Sequence, residues 1–293
     1  MKTQNGFRFN RGVHVPDRKD VRNAAIITMP APEVAMLSTS MALGKPAVPV
    51  VAVGDKVRMG QLIARADGAI SGNVHASVSG EVIAIAERQN ATGGTETDID
   101  IASDGKDEAE FLPPLDNPSA AEIRQRAMEA GLVGMGGAGF PTAVKLSPRT
   151  PVDTLVINGA ECEPYLTCDF RIMLENTDKI VRGAKYFAKA LGINNIVIGI
   201  EANKPECIEA FGKYDGIKVV KLKKQYPMGG EKQLIYCTTK RKVPVGKLPA
   251  DAGCDVQNVA TCLAMCEAAE EVARWAPEAL VVASPHTVMY SDY

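Results

Sequence analysis

No stretch of the 293 residues approaches the roughly 20 consecutive apolar residues that a membrane-spanning helix needs, so the sequence predicts no direct span. The opening MKTQNGFRFNRG lacks the apolar core of a signal peptide. Cysteine occurs seven times but never as C-x2-C, and never as four at short spacing, so neither a zinc ribbon nor an iron–sulfur site has its ligand motif. An odd number of cysteines without a disulfide rhythm points to a reducing, cytoplasmic setting. A formal net charge of −2 gives no global attraction to nucleic acid or anionic lipid, and nucleic acid is not an expected partner.

The segment from Val48 to Ile85 reads as short strands. PVVAVGDKVRMGQLIARAD alternates apolar and polar residues and turns at Gly54-Asp55; VHASVSGEVIAIAE does the same around Ser79-Gly80. The two half-motifs resemble those of biotinyl and lipoyl domains, which are barrel-sandwich hybrids. Such domains present a modified lysine on the hairpin between the halves. The hairpin here, AISGNVHAS, has no lysine, so the resemblance is one of scaffold and a carrier role is disfavoured. Residues 88–120 are polar and rich in turn formers, with one more candidate strand around Asp98–Ala102.

A boundary near Asn117 separates residues 1–117 from an α/β region over 118–267 and a divergent tail, 268–293. SAAEIRQRAMEAG predicts a helix with Ser119 as N-cap, Glu122 completing a capping box and Gly131 as its stop. TLVING, NNIVIGIE and IKVVKLK read as buried strands. Between them, DFRIMLENTDKIVRGAKYFAKALG reads as one helix with Met173, Ile180, Ala184, Phe187 and Leu191 on one face, and KPECIEAFGKY as another. This alternation implies a Rossmann-like parallel sheet with helical crossovers. EKQLIYCTTK and QNVATCLAMCEAAEEVARWA supply two further helices.

GMGGAGFPTAVKLSP, residues 134–148, packs four glycines and an alanine into six positions. Gly134, Gly136 and Gly139 match G-x-G-x-x-G, but a helix precedes them where the dinucleotide fingerprint needs a strand, and no Gly-Lys-Ser/Thr follows for a P-loop. Two readings remain: a loop whose backbone closely approaches a cofactor, or a tight helix–helix connection in which glycine relieves crowding. Cys162, Cys168, Cys262 and Cys266 read as small buried thiols, Met265 as helix core, and His14 and His75 carry no assigned role.

GGAGFPTAVKL followed by VINGAECEPYLTCD resembles the C subunit of the Rnf electron-transport complex. It is more distantly similar to the NADH-oxidising flavoprotein subunit of respiratory complex I. The likeness runs from about Phe9 to about Glu267 and includes GVHVPDRK, PMGGEKQLIY and GCDVQNVAT. The family implies one FMN and one NADH site. On that resemblance Gly134, Gly136, Gly137 and Gly139 approach the flavin, Lys145 faces the FMN phosphate, and Asn158 and Glu161 hydrogen-bond the flavin. Asn258 and Thr261 form a second phosphate-binding segment, Phe140 stacks on the NADH adenine, and Glu163 and Glu231 contact NADH. The implied reaction is direct hydride transfer between NAD(H) and FMN, with the redox chemistry carried by the cofactors.

Two positions depart from the complex I pattern: Ala160 replaces an acidic residue, and Pro148 falls where a second adenine-stacking aromatic would lie. The Rnf relatives continue into a β-grasp domain and the ligand motifs of two 4Fe-4S clusters, which this sequence does not contain. The expectation is an NADH:FMN electron-transfer subunit of an Rnf-type complex, peripheral on the cytoplasmic face of the cell membrane. Its expected partners are the membrane and iron–sulfur subunits and, indirectly, ferredoxin. The competing expectations are a truncated, non-catalytic scaffold and a soluble electron-transfer subunit serving a reductase.

Overall fold

A computed structural model describes residues 3–9, 12–28, 30–90 and 93–270; the expected tail beyond Glu270, with the last part of the final predicted helix, lies outside them. Contacts divide the chain into two compact units that do not follow chain order. Of the described residues, one comprises those within 1–27 and 146–266, the other those within 28–145 and 267–270.

The first unit is built on a five-stranded sheet with spatial order Thr3–Asn5, Ile217–Leu222, Asn195–Glu201, Thr154–Gly159, Cys254–Asn258. Every pairing in it is parallel, as the strand–helix alternation implies. Thr154–Gly159 and Asn195–Glu201 are nearly continuous buried apolar runs because both faces are covered, while Ile217–Leu222 exposes Lys218 and Lys221. Val156, Val197, Val220 and Leu222 cluster with Leu234, Ile235 and Cys237 of the helix Glu231–Thr239. On the other face, a side chain at Gly159 would meet Met173 of the helix Cys168–Glu175.

Two elements differ from the sequence reading. The stretch expected as one helix after Asp169 is two, Cys168–Glu175 and Thr177–Leu191, interrupted where Asn176 leaves helical backbone at φ −131°. The Thr177 hydroxyl donates to the Met173 carbonyl across the break, a local bond of the kind that lets threonine compete with helix. The stretch expected as helix from Gln257 begins with an edge strand, Cys254–Asn258, before the helix Val259–Glu270. CDVQN alternates apolar and polar over only four residues, too short a run to mark a strand, and its pairing with Thr154–Asn158 makes it one.

The second unit contains two antiparallel sheets. One orders Val34–Ser38, Thr95–Ser103, Gly80–Gln89 and Lys56–Val57; the other orders Val48–Pro49, Leu62–Arg65 and Val74–His75. Their inward residues, including Leu37, Ile63, Val82, Ile99 and Ile101, form one core. The polar stretch after Gln89 holds a nine-residue strand, longer than expected, because it zips against Gly80–Gln89. The helix Ala120–Glu129 closes this unit with the expected capping box: the Glu122 amide donates to Ser119 Oγ at 3.3 Å, and the Ser119 amide donates to Glu122 Oε2 at 2.7 Å.

The hairpin joining Leu62–Arg65 to Val74–His75 is self-closed. The Ala66 amide donates to Asn73 Oδ1 at 2.9 Å, the Asp67 amide donates to Ser71 Oγ at 3.1 Å, and Ser71 Oγ donates to the Lys45 carbonyl at 2.7 Å. No lysine lies between Ala66 and Asn73 to accept a lipoyl or biotinyl group. The intact mass of chain expressed alongside lipoyl and biotin ligases is expected to equal the sequence mass. An added mass matching either group and mapping to residues 48–85 would overturn the scaffold reading.

Candidate functional site

In an open parallel sheet, ligands collect beyond the carboxyl ends of the strands, at the point where strand order reverses. From Thr154–Gly159 the chain steps outward through Asn195–Glu201 to Ile217–Leu222, then returns to the far side of Thr154–Gly159 as Cys254–Asn258. The reversal therefore falls between the strands Thr154–Gly159 and Cys254–Asn258, in which Asn158 and Asn258 are register partners. Both asparagines stand out in the sequence, and the fold brings them together.

Their amides are already engaged. Asn158 donates to the Gly229 carbonyl at 2.9 Å and accepts from the Ala160 amide at 3.2 Å. Asn258 donates to Asp169 Oδ2 at 2.9 Å and accepts from the Ala260 amide at 2.7 Å, capping the helix that follows. Thr261 is fully buried in the first turn of that helix. Cys162 contributes as an acceptor: its Sγ receives the Gly229 amide at 3.2 Å, so both sides of that glycine are pinned, to Cys162 and to Asn158.

Glu161 follows the strand Thr154–Gly159 in a left-handed conformation, φ +47°, and is buried. Its Oε1 accepts from the Phe170 amide at 3.1 Å; its Oε2 lies 3.5 Å from Lys19 Nζ and 4.0 Å from Lys204 Nζ. Lys204 is as buried as its partners. It donates to the Ala160 carbonyl at 2.6 Å and sits 3.7 Å from Glu201. Glu163 is exposed and hydrogen-bonded to the Tyr226 phenol, and Glu231 opens its helix on the exposed surface. Lys19, Asp169, Glu201 and Lys204 escape sequence reasoning: they come from separate motifs, and only the fold assembles them.

In the second unit, the glycine segment is a closed turn between two helices. Val133 bridges Pro141, and the Gly134 amide donates to the Phe140 carbonyl at 2.8 Å. Gly136, Gly137 and Ala138 are exposed at its tip, Phe140 is half-buried, and Lys145 ends the short helix Thr142–Lys145. Gly137 needs glycine for its backbone, at φ +122°, although a Cβ there would meet nothing within 4 Å. Gly134 does not: its Cβ would come no nearer than 3.6 Å to the Phe140 carbonyl oxygen, an ordinary contact. Thr142 Oγ1 in the same segment is buried with no hydrogen-bond partner.

Among the described residues, no group of three or more His, Cys, Asp or Glu is placed to hold a metal, and no helix is long and apolar enough to cross a membrane.

The buried acids set a pH dependence. Burial pushes Glu201 from 4.5 up to about 7 against the pull of Lys204; burial, then Glu161, pushes Asp169 from 3.8 up to about 7. Between the unfolded and folded values the folded chain binds more protons than the unfolded one, so stability falls as pH rises through that window. Urea midpoints are expected to decline from about pH 5 to about pH 8, and Glu201→Gln to flatten the decline by up to about 3 kcal/mol. A midpoint that rises over this range would contradict the buried arrangement.

Two family models match in order: the RnfC barrel sandwich hybrid domain over residues 7–106 and the Nuo51 FMN-binding domain over residues 127–267. The C subunit of the proton-translocating ferredoxin:NAD(+) oxidoreductase complex of Clostridium ljungdahlii is 45% identical over 272 residues, covering 89% of this chain and 60% of that one. The Na(+)-translocating counterpart from Acetobacterium woodii is 42% identical over 270 residues, covering 88% and 61%. The C subunit of the ion-translocating oxidoreductase complex of Rhodobacter capsulatus is 42% identical over 272 residues, covering 88% and 52%. The chain thus spans about half to three-fifths of the length of these relatives. With both domain types in the same order and this identity along most of its length, the chain carries the RnfC barrel sandwich hybrid domain followed by the Nuo51 FMN-binding domain and is similar to the C subunits of Rnf complexes.

Proposed function

We propose that the chain binds FMN and exchanges a hydride with NAD(H), as the electron-transfer subunit of an Rnf-type complex. Its partners are then the membrane and iron–sulfur subunits, with ferredoxin reached through them, and its place is at the inner face of the cell membrane. The 4Fe-4S clusters of the family have no ligand motif in this sequence. One observation carries the flavin reading: Thr142 Oγ1 is a buried polar atom without a partner, in a glycine segment whose tip is exposed. A buried hydroxyl left unpaired costs about 1–3 kcal/mol, and a ligand that supplies its hydrogen bond removes that cost.

FMN, when bound, supplies the two-electron chemistry. The residues of the chain bind and orient. Gly134, Gly136, Gly137 and Gly139 allow close backbone approach, and Lys145 supplies positive charge for the phosphate. Asn158 retains one N–H and one acceptor position beyond the bonds described above. Glu161, Asn258 and Thr261 act from inside, through the backbone and helix start they hold. Phe140, Glu163 and Glu231 are the contacts for NADH.

Titration of apo-chain with FMN is expected to quench flavin fluorescence with a Kd of tens of micromolar or tighter, about −6 kcal/mol. Gly134→Ala separates ligand from fold, because the backbone there is ordinary and has room for a methyl group. It is expected to weaken FMN at least about tenfold, about 1.4 kcal/mol, with the melting temperature unchanged. Equal FMN affinity in this variant would leave the segment as a helix connection alone. Anaerobic NADH is expected to bleach the bound flavin, and Glu163→Gln to raise the NADH needed roughly tenfold, as for loss of a hydrogen bond to a charged group. A wild-type chain that binds FMN but is never bleached would refute the hydride reading.

A further inference from the structure

The segment 12–27 crosses the ends of three neighbouring strands of the parallel sheet. Val13 and Tyr226 exchange backbone hydrogen bonds of 2.8 and 2.9 Å, just beyond the strand Ile217–Leu222. Asp17 pairs with Lys224 Nζ at 2.8 Å, and its carbonyl accepts from the Tyr165 amide at 3.0 Å. Arg22 donates to the Asn203 carbonyl at 3.3 Å, beyond the strand Asn195–Glu201, and its guanidinium lies 4.5 Å over the Phe170 ring. The Ile26 amide donates to Glu175 Oε1 at 3.3 Å. The segment is a strap over the sheet edge where Asn158, Glu161 and Glu163 emerge.

At its centre, Lys19 inserts its ammonium into the turn after the strand Thr154–Gly159. Nζ donates to the carbonyls of Glu161 and Glu163, each at 3.1 Å, and to that of Leu166, with Glu161 Oε2 at 3.5 Å. The side chain is 7% exposed. The same turn holds two non-glycine residues in the left-handed region, Glu161 at φ +47° and Tyr165 at φ +68°. Such residues persist only where their surroundings over-determine them. Three carbonyl oxygens aimed at one point repel each other unless a cation sits between them, and the ammonium is the group that lets the turn close.

We propose that Lys19 is a positioning residue for the candidate site: its ammonium serves as a built-in cation for a cage of three carbonyls, and thereby sets the direction in which Glu161 and Glu163 leave the turn. What the Glu163 carboxylate then binds rests on the NAD(H) reading above, and the flavin it serves on the FMN reading.

The test is Lys19→Ala, which opens room for a small ammonium ion, alongside Lys19→Gln, which keeps two N–H donors without the charge. Amide hydrogen exchange across residues 161–169 is expected to rise at least about tenfold in both, while the strands keep wild-type protection. Ethylammonium at tens of millimolar is expected to restore protection to Lys19→Ala; tetraethylammonium, which has no N–H, is not. With FMN bound, the variants are expected to need about tenfold more NADH for half-maximal bleaching, with the limiting rate within about twofold. Restoration of this value by ethylammonium is a response that loss of packing alone would not give.

Protection at 161–169 within twofold of wild type in either folded variant overturns the proposal, as does a folded Lys19→Ala that ethylammonium does not restore. If Lys19→Ala does not fold, Lys19→Gln decides by the exchange measurement. If wild-type chain binds no FMN, the reading of the previous subsection fails, and hydrogen exchange still decides the role of Lys19.

Discussion

Two buried ammonium groups hold the carboxyl edge of the parallel sheet in one shape. Lys19 and Lys204 lie far apart in the unit's sequence and converge on the backbone that leaves the strand Thr154–Gly159. Each is donor to main-chain carbonyls first and ion-pair partner second: the shortest contacts are to Leu166 and Ala160, while the carboxylates lie at 3.5–4.0 Å. Desolvating such charges is costly, and only a full set of hydrogen bonds offsets it. The turn that carries Glu161 and Glu163, the strap over it and the acids beneath it all depend on that set being complete.

The same arrangement governs the chemistry available there. Glu161, Asp169 and Glu201 surround two cations, and burial raises the proton affinity of all three. Burial also lowers that of Lys204, while Glu161 and Glu201 hold it charged. A region so balanced is neither strongly anionic nor strongly cationic, and the exposed charge at the edge comes from Glu163 and Glu231 instead. In the proposed function, this division of labour separates the residues that shape the edge from those that touch NADH.

What can be read from the sequence tracks how local each signal is. The strands Thr154–Gly159 and Asn195–Glu201 announce themselves as apolar runs because two helical layers cover them, and Ser119 with Glu122 marks a helix start within four residues. The strand Cys254–Asn258 is illegible, since its polar residues become strand only beside Thr154–Asn158, a hundred positions earlier. Asn158, Glu161 and Asn258 are found through short motifs, but their bonds to Gly229, Phe170 and Asp169 are not, because no spacing rule joins those segments. Lys19 is the extreme case. It stands in GVHVPDRK, which carries meaning in the sequence only as part of a resemblance, and its partners lie 142 to 147 residues away. Thr142 likewise reads as part of a motif; that its hydroxyl is buried and unpartnered is a property of packing alone.

The edge strand Thr3–Asn5 and the strap of residues 12–27 have a consequence for how the chain is made. They are synthesised before residues 28–145, yet the strand that Thr3–Asn5 pairs with, Ile217–Leu222, and the turn that the strap locks appear only after those residues. The β-rich stretch in between can bury Ile63, Ile99 and Ile101 as it emerges, since its partners are near neighbours in time. Residues 3–5 must instead wait for a template that arrives some two hundred residues later. Domains generally assemble from the N-terminus as they emerge. Here a segment translated before the β-rich stretch reaches its place after it, and any nascent-chain factor that shields it would act on this segment rather than on the hydrophobic core.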